Sequence, residues 1–113
     1  MIEAIRHGSE LLFEGTDLGK IPLFIADKKV VWEPTRWLIE RHEEGLAIGS
    51  VKTYGGHILD FYRQLEVDVR GIDDVDDAYL TEYHKALLST APNTAGQYLR
   101  SVIDHLNWLE GKG

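Results

Sequence analysis

The stretch Ser50-Val51-Lys52-Thr53-Tyr54-Gly55-Gly56-His57-Ile58-Leu59-Asp60-Phe61-Tyr62-Arg63-Gln64-Leu65 decides how this chain reads. Tyr54, Ile58, Phe61, Tyr62 and Leu65 recur at helical spacing, so one face of a helix turns toward a core. Ser50 has the chemistry of an N-cap, and Ser50, Lys52 and Thr53 gather two hydroxyls and a cation at a helix end. The free N–H groups of such an end favour phosphate. The plain alternative is a capped helix with a solvated lysine. Gly55 and Gly56 inside the stretch each cost ~1 kcal/mol against alanine. That cost suits a close backbone approach, either by a ligand at Gly56 or by a neighbouring helix.

Working outward, the helical period extends from Glu33 onward. Pro34, Trp37, Leu38 and Arg41 predict a first helix over about 34 to 44, stopped by Gly45. After the second helix, Val67 to Asp74 reads as a loop. Asp76 then caps a third helix whose inward residues are Tyr79, Leu80, Tyr83, Leu87 and Leu88. Pro92 breaks the chain, and Asn93 or Thr94 caps a fourth helix with the stripe Tyr98, Leu99, Val102, Ile103, Leu106 and Leu109, ending at Gly111. Residues 1–32 read differently. Ile21 to Ile25 and Lys29 to Trp32 are β-prone runs around Ala26-Asp27-Lys28 and predict a hairpin, and Ile2 to Arg6 and Leu11 to Phe13 are further strand candidates. The expected class is mainly α: an N-terminal extension over 1–32 with a β-hairpin, then a four-helix domain over 33–113.

Composition bounds the chemistry. A chain of 113 residues supports one small core. With no cysteine, thiolate zinc sites and disulfides are excluded, and a reducing, cytoplasmic setting is the expectation. No apolar run approaches the roughly 20 residues of a membrane span. Nineteen acidic against twelve basic side chains give a net charge of −7, which argues against indiscriminate binding of polyanions. The acids cluster at Glu40, Glu43 and Glu44 and from Asp68 to Asp77, whereas Lys52, Arg63 and Arg100 lie on other helices, so a small basic face on an acidic body is compatible with the total. An acid surplus also fits a high-salt cytoplasm.

In order and spacing, residues 33 to 113 resemble the N-terminal core-binding domain of tyrosine recombinases, the phage-integrase family. Trp37-Leu38 stands at the place of an early aromatic-leucine pair, and Ser50 and Thr53 match a Ser-x-x-Thr helix start. Phe61 through Leu65 match its aromatic-leucine close. Ile72-Asp73-x-Val75 followed by Leu80 and Tyr83 matches the linker and third helix, and Thr94, Leu99, Val102 and Trp108-Leu109 match the fourth. Where that family often has a tyrosine four residues after the threonine, this chain has His57, and its basic face is thin.

The resemblance implies a SAM-like orthogonal bundle that clamps double-stranded DNA at a recombination site alongside other recombinase subunits, without cofactor. It also implies that the catalytic residues belong to a separate domain, so this segment is noncatalytic. The DNA-binding candidates are Ser50, Lys52, Thr53, Gly56, His57 and Arg63 on the second helix and Asn93, Thr94, Gln97 and Arg100 on the fourth. Gln97 and Arg100 can read base edges in bidentate fashion. For His57 the residue chemistry alone favours a partly buried ring, and Arg63 has Asp60 and Glu66 as ready partners.

Two other readings stand beside this one. An acidic helical protein-interaction module fits the net charge. A small enzyme has no supporting constellation: the run Asp73-Asp74-Val75-Asp76-Asp77 lacks the alternation and glycine of a calcium loop, and the histidines at 7, 42, 57, 84 and 105 lack zinc spacing.

Overall fold

The structure is a computed structural model that describes residues 2–5, 12–13, 16–17, 21 and 23–112. Five short strands precede four α-helices: β1 (Glu3–Ile5), β2 (Leu12–Phe13), β3 (Thr16–Asp17), β4 (Leu23–Ala26), β5 (Lys29–Val30), α1 (Trp32–Glu43), α2 (Ile48–Val67), α3 (Asp77–Thr90) and α4 (Ala95–Lys112). A 3-10 turn, Ile72–Asp74, lies before α3.

The expected hairpin is β4–β5. Asp27 and Lys28 both take positive φ, 52° and 66°, which gives the two-residue turn a twist that matches its strands. The hairpin is not alone. β1 pairs antiparallel with β4, Ala4 opposite Phe24, giving a three-stranded sheet ordered β1-β4-β5, while β2 pairs separately with β3. Arg6 and Leu11, which belonged to the other expected strand runs, lie outside the described residues.

This sheet is fastened to the helices through backbone groups. The Phe24 amide donates to the Thr35 hydroxyl at 3.0 Å, and that hydroxyl donates to the Val31 carbonyl at 2.9 Å. The Ile2 amide donates to both carboxylate oxygens of Glu66 on α2, at 2.8 and 3.0 Å, and Arg63 Nε donates to the Ile2 carbonyl at 3.2 Å. Ile2, Ile21 and Phe24 are buried in one cluster with Trp37 and Leu38 of α1, Val51, Ile58, Phe61 and Leu65 of α2, Tyr83 and Leu87 of α3, and Ala95 and Val102 of α4. Strands and helices therefore share a single core.

Of the expected helix starts, that of α3 is as read, while α1 begins at Trp32, two residues before Pro34, and α2 begins before Ser50. Asp76 caps α3 by accepting from the Tyr79 amide at 2.8 Å, as its position predicts. Ser50 is not a cap. α2 begins at Ile48 behind Ala47, which makes no side-chain cap bond, so Ser50 already lies in the first turn. The start comes earlier because Leu46 and Ile48 pack against the core, and burying them outweighs the missing cap.

The ends of α1 and α2 share one motif. After α1, Gly45 has φ +107°, its amide bonds to His42 O, and the Leu46 amide bonds to Arg41 O. After α2 the same pair of bonds runs from Val69 to Glu66 O and from Arg70 to Leu65 O, but the left-handed position is held by Val69 at φ +50°. A β-branched side chain is strained there, and at 92% exposure it gains nothing from burial. Val69→Gly is therefore expected to raise unfolding free energy by about 1 kcal/mol, read as a higher urea midpoint at unchanged m value.

Candidate nucleic-acid interface

α2 and α4 are joined by two buried hydrogen bonds. His57 Nδ1 pairs with Ser101 Oγ at 2.8 Å, and the Tyr62 hydroxyl pairs with His105 Nε2 at 2.8 Å. The partners are separated by 44 and 43 residues respectively, so the pairing offset is nearly constant and the two helices run in the same direction. Their N-terminal ends lie together, with α3 inside the connection that returns the chain to that end. Two helix N-termini side by side concentrate positive dipole ends and free N–H groups on one part of the surface.

Along this seam Thr53 and His57 of α2 meet Gln97, Arg100, Ser101 and Asp104 of α4 around a cavity of about 220 Å³, with Tyr54 at its wall. Spacing explains the grouping. Residues 53 and 57 share one line of α2, and 97, 100, 101 and 104 share one line of α4. Thr53, Gln97 and Arg100 are exposed. Asp104 puts one carboxylate among them, so the groove is mixed in sign, with its cation toward the N-terminal half of α4.

The remaining sequence candidates divide. Asn93 is exposed and Thr94 half-buried in the turn before Ala95, at the same end as Thr53 and Gln97. Ser50 and Lys52 are half-buried in the first turns of α2, and the Thr53 hydroxyl donates back to Gly49 O at 3.1 Å. Gly56 is exposed, and a Cβ built there would meet nothing within 4 Å, so no neighbouring helix requires this glycine. Gly55, beside it, is buried.

Two candidates are placed otherwise. His57 is 7% exposed, its ring lies 4.3 Å from that of Tyr98, and its Nδ1 is taken by Ser101. It holds the seam together and lines the cavity with little exposed surface. Burial holds its pKa below the usual histidine value, against the opposing charge of Asp60. Arg63 is tied to the Ile2 carbonyl and serves the attachment of β1. Sequence reasoning missed Ser101 and His105. Their i, i+4 spacing, which sets them opposite His57 and Tyr62 of α2, was the available sign that polar groups enter the buried face of α4.

His105 is fully buried among Trp37, Tyr62 and Trp108, with ring centroids at 5.1, 5.7 and 6.0 Å. Its Nδ1 has no hydrogen-bond partner among the described residues. The aromatic side chains Phe61, Tyr62 and Tyr83 are likewise buried, with Phe61 edge-on to Tyr79 and Tyr83, so they are core and offer no row of exposed rings on which bases could stack. Among the described residues no group of three or more His, Asp or Glu side chains is arranged to hold a metal ion, and no helix is long and apolar enough to cross a membrane. Comparison with protein-family models, curated proteins and solved structures returns no match for this chain.

Burial pushes the His105 pKa down to about 4. The unfolded chain therefore takes up the proton first: the contribution of His105 to stability is complete above its ordinary value of 6.5 and is lost as pH falls toward 4. The loss at pH 4 is expected to be about 3 kcal/mol, and urea unfolding from neutral pH downward should show a shallower acid slope in His105→Gln.

Proposed function

We propose that this chain is the core-binding domain of a site-specific tyrosine recombinase: a SAM-like helical bundle that holds duplex DNA at a recombination site with other recombinase subunits, while a separate domain performs strand exchange. The observation that carries this reading is the parallel α2–α4 pair, which brings both helix N-termini and the side chains of Thr53, Gln97 and Arg100 to one face. Backbone N–H groups and Lys52 at the start of α2 suit phosphate, and Asn93 and Thr94 stand at the matching start of α4. Gln97 and Arg100 carry the bidentate chemistry that reads adenine and guanine edges in the major groove.

The net charge of −7 shapes the expected binding. With few cations at the contact, few counterions are released, so affinity falls gently with salt and rests on geometry at a chosen sequence. Asp104 repels phosphate and confines the contact to the first turns of α4.

Duplexes selected from a random-sequence library on the immobilised chain supply a probe for fluorescence anisotropy over about 50 to 200 mM salt. Lys52→Ala and Arg100→Ala are each expected to weaken binding and to reduce the logarithmic salt slope by about one. Unchanged affinity and slope in the double substitution would remove this face from the reading. Gly56→Ala separates backbone approach from folding: with open space around the new methyl group, stability should rise by about 1 kcal/mol while duplex affinity drops. A stabilised variant that binds as well as the parent takes Gly56 out of the contact.

A further inference from the structure

Beyond the α2–α4 groove, a wider cavity of about 650 Å³ opens between the start of α3 and the C-terminal half of α4. Its floor is apolar: Leu80 from α3, and Ile103, Leu106 and Leu109 from α4. Ile103 is 40% exposed and Leu109 half-buried, so this surface is incompletely covered. From Ile103 to Leu109 the floor extends roughly 9 Å along α4, a little under two turns of a facing helix.

The rim is of one sign. Asp73, Asp76, Asp77 and Glu110 border the floor, and no lysine or arginine is among the described lining residues. Asp76 is committed to capping α3 through the Tyr79 amide. Asp73, Asp77 and Glu110 have no salt-bridge partner among the described residues. Asp77 lies in the first turn of α3. A nucleic acid is repelled by such a border, and a purely apolar segment would desolvate carboxylates without compensation.

We infer that this groove is a docking site for a basic amphipathic helix of a partner protein. The partner would place apolar side chains at i, i+3 or i+4, and i+7 on Leu80, Ile103, Leu106 and Leu109, with lysines or arginines on both flanks facing Asp73, Asp77 and Glu110. Gln97 and Arg100 lie on a different line of α4 and nearer its start, so the inference does not depend on the DNA reading.

The probe is a synthetic amphipathic helix of about five turns, with leucines at those spacings and lysines on both flanks, compared with the same peptide carrying glutamates in place of the lysines. Titrated into the isotopically labelled chain, the basic peptide should shift the amides of Leu80, Ile103, Leu106 and Glu110, and the acidic peptide should not. The triple variant Asp73→Asn, Asp77→Asn, Glu110→Gln leaves the Asp76 cap intact and should bind the basic peptide about tenfold more weakly, the loss expected of three partly screened charge pairs. Ile103→Lys, at a position already open to solvent, should abolish binding while the amide spectrum of the free variant stays folded. Failure of the basic peptide to bind, equal binding of both peptides, or an unchanged affinity in the triple variant overturns the inference. So does sedimentation of the free chain as a dimer that Ile103→Lys dissociates, which would assign the groove to a second copy.

Discussion

Two buried hydrogen bonds between α2 and α4, His57 to Ser101 and Tyr62 to His105, set the register on which the rest of the molecule depends. Apolar contacts alone tolerate sliding, because one leucine serves nearly as well as the next. Buried polar groups do not. A slip of one residue would strand an imidazole or hydroxyl in the core at a cost of roughly 1–3 kcal/mol per group, comparable to a sizeable part of a small domain's stability. These pairs fix which residues of α2 face which residues of α4, and so fix that Thr53 stands beside Gln97 and Arg100. His105 sits at the crossing of this constraint with α1, since the Trp37 ring lies tilted against it while Trp108, stacked on it, donates its Nε1 proton to Glu40 at 3.1 Å.

The N-terminal strands impose a second constraint that competes with the first for α2. Glu66 and Arg63 spend their polar groups on the amide and carbonyl of Ile2, and Ile2 fills core space next to Leu65. An arginine used as a fastener is withdrawn from any ligand. The thin basic face of α2 is thus partly a consequence of attaching β1, and only Lys52 remains as a cation along the line of that helix.

The acid surplus also has internal work. Asp60 accepts from the Tyr83 hydroxyl at 2.6 Å, Asp68 accepts from Tyr79 at 2.7 Å, and Asp76 caps α3. Each ties helices or turns together, and the hydrogen bond from Tyr79, with that from Gln64, holds the Asp68 carboxyl below its usual pKa. Of the carboxylates without such duties, Asp73, Asp77 and Glu110 border the far end of α4, while Asp104 stands with Arg100 in the other groove. One helix therefore carries two surfaces of different electrical character, one acidic among its described residues and one mixed in sign, a difference that a summed charge conceals.

Local pattern was sufficient for the four helices, the Asp27-Lys28 hairpin and the Asp76 cap, because helical periodicity, turn chemistry and cap chemistry act over a few residues. It failed at the start of α2, where burial of Leu46 and Ile48 overrode the better capping residue at 50, and it could not see β1 joining β4, a pairing between residues about twenty apart with no periodic sign. Among the candidate residues, Thr53, Gln97 and Arg100 were recognisable by type and face. That they converge, that His57 is sealed against Ser101, and that Arg63 is tied to Ile2 could be settled only by the packing of α2 on α4 and β1. Those contacts join residues 44 and 61 positions apart, and such distances carry no signature in the order of amino acids until the core brings the two helices and the strand together.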